Sequence, residues 1–448
     1  MKRVLIITYY WPPSGGSGVQ RWVKFAKYLP SQGWQPVIYT PENPELTSVD
    51  KTLAQEIPAE AEIVRTKILE PYGIYRKLMG KGSSTDLKAL TDANASKDEV
   101  NPIHGGKMSF KQKLSLYIRG NFFIPDPRVL WVRPSVRFLT KYLKDHPVDA
   151  IITTGPPQSM HLIGLGVSKA TGIPWLADFR DPWTKMFYFK HLGLNESSEK
   201  KHHQLEKSVL DGATRVIAVS PLVQEEFRAM TTTPVELITN GFDEEDFRGE
   251  VARDEFFTLT HTGLFASDGN PETLWKVLAD KCSGDDEFRH FLRIKLVGKT
   301  DREIVDSIRR AGLADNLEDM GYQSHESAVR EQRKAAVLIL PLRKEPEYRA
   351  VLPGKLFEYL ASRRPVLGIG QTDGAMAGII QKTGSGVVYD WDEEKKIRAW
   401  IDFCWDEFRV GELKDNTSSI NDYTRKNLTR KMAELLEEIT SENNQKKI

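Results

Sequence analysis

The chain has 448 residues, of which 40% are apolar and 28% charged, and 63 basic side chains nearly cancel 62 acidic ones to leave a formal net charge of +1. That composition describes a folded, water-facing protein with apolar material for two cores of about two hundred residues each, and its charge balance gives no pointer to nucleic acid. Cys282 and Cys404 are far apart and have no Cys or His at ligand spacing, so neither a disulfide framework nor a zinc site is indicated, and a reducing compartment fits.

Met1-Lys2-Arg3 before Val4-Leu5-Ile6-Ile7 has the outline of a signal peptide. The apolar run is too short, and Trp11-Pro12-Pro13 stands where a small-residue cleavage site would be, so the segment reads as a buried strand. No stretch approaches the roughly 18 uninterrupted apolar residues of a membrane span, which leaves peripheral contact as the only kind expected. The first forty residues then read as a βαβ unit: strand Val4 to Thr8, loop Ser14-Gly15-Gly16-Ser17-Gly18, a helix with Val19, Trp22, Val23, Ala26 and Leu29 at helical spacing, and strand Pro36 to Thr40. Glycines let a backbone approach a ligand, and the helix start favours negative charge, although the same loop also reads as a plain tight turn. It is not a dinucleotide fingerprint, because the G-x-G-x-x-G spacing is absent and the second strand ends in Thr40, with Glu42 nearby, rather than in an acidic residue.

Residues 67–134 lose the alternation and read as an irregular insertion with a polar stretch, Gly80 to Val100. From Lys107 to Lys144 the chain is basic and aromatic, with Lys107, Lys111, Lys113 and Arg119 followed by Arg128, Arg133, Arg137, Lys141 and Lys144. Leu114, Tyr117, Phe122, Phe123, Leu130 and Trp131 are interleaved with them. This pattern suits either a solvated charged face or contact with an anionic membrane or phosphorylated lipid.

The α/β rhythm returns with strand Ala150 to Thr153, a helix from near His161, strand Pro174 to Asp178, a helix ending near Leu210, and strand Arg215 to Ser220. Two clusters follow strand ends, where open sheets bind ligands: Gly155 to His161, and Ala177-Asp178-Phe179-Arg180-Asp181-Pro182-Trp183. The second suits sugar hydroxyls, or alternatively an Asp-Arg pair that ties down a turn. Beyond Thr239-Asn240-Gly241-Phe242-Asp243 and the charged stretch Glu244 to Glu255, a second series opens with Phe256 to Thr260 and continues with strands near 293–297, 337–341, 365–369 and 386–389. Within it, Pro353 pre-sets a helix start and Lys355 adds charge there, with Glu358 on the same face; together they suit a diphosphate and a ribose, or an ordinary surface pair. Tyr423 to Ile439 reads as a final helix before a polar tail. The expected division is 1–240, 255–415, and a terminal segment 416–448.

Taken together, Tyr9-Tyr10-Trp11-Pro12-Pro13 with Gly15-Gly16, Asp178 to Trp183, Thr239 to Asp243, His261-Thr262-Gly263 and Pro353 to Ala361 resemble glycosyltransferase family 4, in the branch of bacterial cell-surface polysaccharide pathways. The resemblance implies an α/β GT-B fold of two doubly wound, Rossmann-like domains facing a central cleft. It places the acceptor mainly on the first domain and the donor on the second, with the last helix crossing back to the first. It implies a retaining hexosyl transfer from a UDP- or GDP-sugar to a glycan or polyprenyl-linked acceptor, without metal or cofactor, in the cytoplasm or at the inner face of the membrane. Carried over to this chain, it gives His161 and Asp181 catalytic roles, sets Arg180 and Trp183 on the acceptor side, and assigns Gly16, Gly263, Lys355 and Glu358 to the donor. Two positions depart from the family's pattern: Ala350 stands eight residues before Glu358 where a first glutamate is usual, with Glu345 and Glu347 upstream, and the basic pair that usually follows Gly263 is missing. Lys355, helped by Arg343 or Arg349, is the expected substitute. A nucleotide-sugar epimerase on the same fold and a noncatalytic partner subunit are the alternatives, and a nicotinamide oxidoreductase is disfavoured by the imperfect fingerprint.

Overall fold

The computed structural model describes residues 1–45, 49–50, 52–70, 117–118, 120–187, 189–413, 415 and 419–445. The polar stretch Gly80 to Val100, the basic run Lys107 to Leu114 and Arg119 lie outside them. Contacts divide the chain into two units, Met1–Asn240 with Arg425–Ile448, and Gly241–Thr424.

The first unit is built on a parallel sheet of strands β1 (Lys2–Ile7), β2 (Trp34–Pro41), β3 (Glu62–Thr66), β4 (Ala150–Gly155), β5 (Trp175–Phe179), β6 (Arg215–Ala218) and β7 (Val235–Leu237), in the order 3-2-1-4-5-6-7. Its helices are α1 (Ser17–Tyr28), α2 (Val129–Asp145), α3 (Ser159–Thr171), α4 (Glu196–Gly212) and α5 (Pro221–Met230), joined from the far end of the chain by the terminal helix Arg425–Gln445. The expected runs at β1, β2, β4, β5 and β6 are all strands. They are almost wholly buried because helices cover both faces, so apolar residues run through them without alternation. One face is sealed by α1 and the terminal helix, whose Leu428, Met432, Leu436 and Ile439 share a core with Val4, Trp22, Val23, Ala26 and Trp34.

The second unit repeats the plan with β8 (Phe257–Thr262), β9 (Leu292–Val297), β10 (Leu317–Gly321), β11 (Val337–Pro341), β12 (Val366–Ile369) and β13 (Gly386–Tyr389), ordered 10-9-8-11-12-13. Its helices are α6 (Glu272–Gly284), α7 (Asp286–Phe291), α8 (Arg302–Arg310), α9 (His325–Lys334), α10 (Gly354–Ser362), α11 (Ala375–Thr383) and α12 (Glu394–Arg409), and the terminal helix is α13. Its core contains a cluster of aromatic rings, Phe257, Phe288 and Trp405. In both sheets the order reverses beside the first strand, between β1 and β4 and between β8 and β11. The loops that leave such a reversal part to opposite faces and leave a crevice at the carboxyl ends. Among the described residues, no helix is long and apolar enough to cross a membrane.

Candidate functional site

In the first unit the crevice lies between the loops after β1 and β4. Gly16 precedes α1 with φ 105°, a conformation that strains any residue with a Cβ, and among the described residues no side chain caps the helix that follows. Arg180, just past β5, lies directly on this helix start: a Cβ added to Gly18 would fall 1.6 Å from its Nη1. Its other amino group donates to the Pro156 carbonyl in the loop after β4, and its own backbone N–H donates to Gly155 O at 3.0 Å. A guanidinium and a helix N-terminus thus converge on one spot, which favours an anion or a developing negative charge. Burial raises the neighbouring Asp181 carboxyl above its usual range, and the charge of Arg180 opposes that shift.

His161, two residues into α3, is fully buried, with Nδ1 2.8 Å from Thr153 Oγ1 and its ring stacked 4.3 Å from Phe179. Burial lowers its pKa to about 3, against a smaller opposing influence of Asp178 and a further lowering by Arg180, so the imidazole is neutral near pH 7. Its Nε2 and both polar atoms of the Gln158 amide are buried without a hydrogen-bond partner among the described residues. They converge over Gly155, where a Cβ would lie 2.5 Å from the His161 ring and 2.7 Å from the Gln158 amide.

The other members of the Asp178 to Trp183 run serve packing. Asp178, fully buried, takes Arg21 Nη2 at 2.8 Å and Nε at 3.2 Å, Trp22 Nε1 at 2.9 Å and the Thr154 hydroxyl at 3.1 Å. This carboxylate is therefore occupied by the protein rather than open to sugar hydroxyls. Arg21 also donates to the carbonyls of Ile238 and Thr239, at 3.0 and 2.7 Å. Trp183 is buried, its indole N–H donating to His202 Nδ1 at 3.0 Å. Glu206 on α4 gathers the backbone N–H groups of Trp183 and Thr184 and the Thr184 hydroxyl, fixing the turn after Asp181.

In the second unit the crevice opens beside Gly263, which follows β8 with φ 83°. Gly298 packs against it so closely that a Cβ there would come within 2.3 Å of the Gly263 carbonyl. Lys355 extends to this loop from the first turn of α10, a helix without a side-chain cap, and its Nζ donates to His261 Nε2 and to Leu264 O, each at 3.0 Å. Burial lowers the pKa of Lys355 to about 8, and Glu358 partly offsets the shift. His261 is held neutral, first by burial and then by the ammonium beside it.

One turn along α10, Glu358 accepts from His325 at 3.1 Å and from Gln332 at 2.9 Å. Burial works against its charge, but these hydrogen bonds and the charges of His325 and Lys355 prevail and keep its carboxyl below the usual range. Gln332 also donates to Thr262 Oγ1 at 3.0 Å, and the Tyr359 hydroxyl accepts from Thr262 N at 2.9 Å, so α10 and α9 are fastened to the end of β8. Each carboxylate oxygen of Glu358 retains capacity to accept a further hydrogen bond. Arg343 pairs with Asp268 at 3.1 Å, and Arg349 pairs with Asp373 at 3.0 Å on the surface. Of the three cations expected at the donor, Lys355 alone is shown against the Gly263 loop.

His325, Gln332, Arg21 and Glu206 carry no signal in the sequence, since each lies in an ordinary polar helix and gains its role from a partner distant along the chain. Gln158 was visible only as part of the run that ends in His161.

Residues 96–246 match the family model described as Glycosyltransferase Family 4. No curated protein matches the chain. Among solved structures it is similar to a glycosyltransferase from Rickettsia africae, with TM-score 0.61 and 14% identity over 98% of each chain. It is also similar to the sucrose-phosphate synthase of Thermosynechococcus elongatus, with TM-score 0.58 and 14% identity over 99% of this chain and 98% of that one. A third similar structure is WaaG, a glycosyltransferase involved in lipopolysaccharide biosynthesis, with TM-score 0.51 and 12% identity over 98% of each chain.

Proposed function

Given a glycosyltransferase family 4-like chain of GT-B fold, we propose that it moves a sugar from a UDP- or GDP-sugar to a glycan or polyprenyl-linked acceptor of a cell-surface polysaccharide, with retention at the anomeric carbon and without metal or cofactor. The observation that carries this reading is the cradle at the start of α10: a bare Gly263 backbone, an uncapped helix N-terminus and the Lys355 ammonium meet, with an ionised Glu358 one turn further. Such a place suits a diphosphate followed by a ribose.

In the proposed reaction the bond from the anomeric carbon to the diphosphate breaks while the acceptor oxygen bonds on the same face. The acceptor proton passes to the departing diphosphate, whose charge Lys355 and the helix start stabilise. On the acceptor side, neutral His161, Asp181 and Arg180 take hydroxyls and developing charge. Peripheral contact with an anionic membrane on its cytoplasmic face belongs to the same reading, because a polyprenyl-linked acceptor resides there.

Calorimetric titration with uridine, guanosine and adenosine diphosphates and their sugar conjugates, in EDTA, tests it. One nucleotide is expected to bind, and Glu358→Ala to weaken it by about tenfold or more, as loss of charge-assisted hydrogen bonds would. Absence of binding across the panel would sink the proposal. Ala350 in place of the usual first glutamate favours a second reading, a noncatalytic partner; binding of the donor with no transfer to any acceptor would select it.

A further inference from the structure

Helix α2 turns Trp131, Leu139 and Leu143 into the first unit and presents another face outward. On that face Arg133, Arg137, Lys141 and Lys144 recur every three or four residues, which aligns them along one stripe. None of the four makes an ion pair or a hydrogen bond among the described residues. Elsewhere in the protein helix cations are commonly matched, as in Lys207–Asp211 on α4, Arg398–Glu394 on α12 and Arg430–Glu434 on α13. A merely solvated face would be expected to mix signs in the same way. Here like charges at i, i+4 oppose the helix that bears them, and Asp145 at its end is the lone acid of α2. The concentration of charge is local, since the whole chain carries only +1.

Leu130, 43% exposed, lies in the same stripe at helical spacing from Arg133 and Arg137. Phe138, 38% exposed, lies on the flank, stacked on Tyr39 and Tyr142, and Phe122, shortly before the helix in the chain, is 72% exposed. Pro134 is exposed between Arg133 and Arg137. A free polyanion would satisfy the cations and leave these groups in water. An anionic bilayer satisfies both, with phosphates at the level of the basic heads and the acyl boundary within reach of the apolar groups.

We propose that the outward face of α2 is a docking surface for an anionic lipid bilayer. It extends the transferase reading by naming the surface that meets the membrane, and rests on that reading only for the reason a membrane is near.

Flotation of the full chain with vesicles of phosphatidylcholine, alone or mixed with phosphatidylglycerol, tests it without any donor or acceptor. Binding is expected to the mixed vesicles only and to weaken as salt rises, and the double variant Arg133→Glu/Arg137→Glu is expected to lose about tenfold or more in partitioning. Leu130→Ser should weaken binding at high salt, where the apolar part of the contact remains. If the first double variant does not fold, Lys141→Glu/Lys144→Glu replaces it, and nucleotide titration checks that each variant is intact. Equal binding to both vesicle types, no binding to either, or an undiminished charge-reversed variant overturns the proposal. Equally tight binding of a single-stranded oligonucleotide, with no effect of Leu130→Ser on vesicles, also overturns it, in favour of a general polyanion surface. A protein that floats but binds no nucleotide would keep this inference and discard the transferase; the reverse result would do the opposite.

Discussion

At the scale of single residues, Lys355 and His161 are shifted by burial and make opposite demands. In the proposed donor site Lys355 has to carry its proton to hold a diphosphate, and burial has brought its pKa to about 8. Donor affinity is therefore expected to fall as pH rises through about 8, with bound diphosphate moving the midpoint upward, and Lys355→Met should bind more weakly and lose that dependence. Turnover in this variant should drop by about 10²–10³, the range for loss of a group facing a developing charge. A pH series of titrations and initial rates checks both. His161 must remain without its proton, because its folded pKa of about 3 lies below the ordinary 6.5. In the unfolded chain it protonates first, so its contribution to stability is complete above about pH 6.5 and is lost as pH falls toward about 3. His161→Gln is expected to flatten the acid side of the stability curve, measured by urea unfolding from about pH 7 to pH 4.

At the scale of elements, the glycine contacts make a sharp expectation. Gly298 has φ 139° and lies against the Gly263 carbonyl, a backbone atom that cannot rotate away. Gly298→Ala should displace the Gly263 loop and raise the nucleotide Kd severalfold or more while the rest of the second unit stays folded, as titration beside circular dichroism would report. The central strands were legible because burial on both faces leaves unbroken apolar runs, as in Val4 to Ile7 and Val337 to Leu340. The edge strands β3, β7 and β10 were not. Glu62–Thr66 and Leu317–Gly321 are half-buried at best, and Val235–Leu237 has only three residues, so they have little apolar pattern to show. Of the candidate site, the glycine turns, His161, Lys355 and Glu358 could be picked out, because helix starts and strand ends have local signatures. What each charge meets could not be: the sequence offers Arg343 and Arg349 as helpers of Lys355, and only folding gives them to Asp268 and Asp373. Asp178 invited the same misreading, since its partner Arg21 lies 157 positions away.

At the scale of the whole molecule, that buried pair holds distant parts of the first unit together, joining α1 and β5 to the carbonyls of Ile238 and Thr239 at the exit from the unit. Asp178→Ala leaves an uncompensated guanidinium in the core, and a loss of about 3–5 kcal/mol is expected in denaturant unfolding of the first unit. The packing of α13 on α1 has a different consequence, one of timing. The second unit is a single uninterrupted stretch, Gly241–Thr424, whereas the first needs Leu428, Met432, Leu436 and Ile439 to close the core around Trp22 and Trp34. During synthesis the opening half of the chain therefore emerges from the ribosome long before the helix that seals it. The inserted stretch can fold as it is made, while its host must wait, with an apolar flank uncovered, until Arg425–Gln445 has been translated behind it.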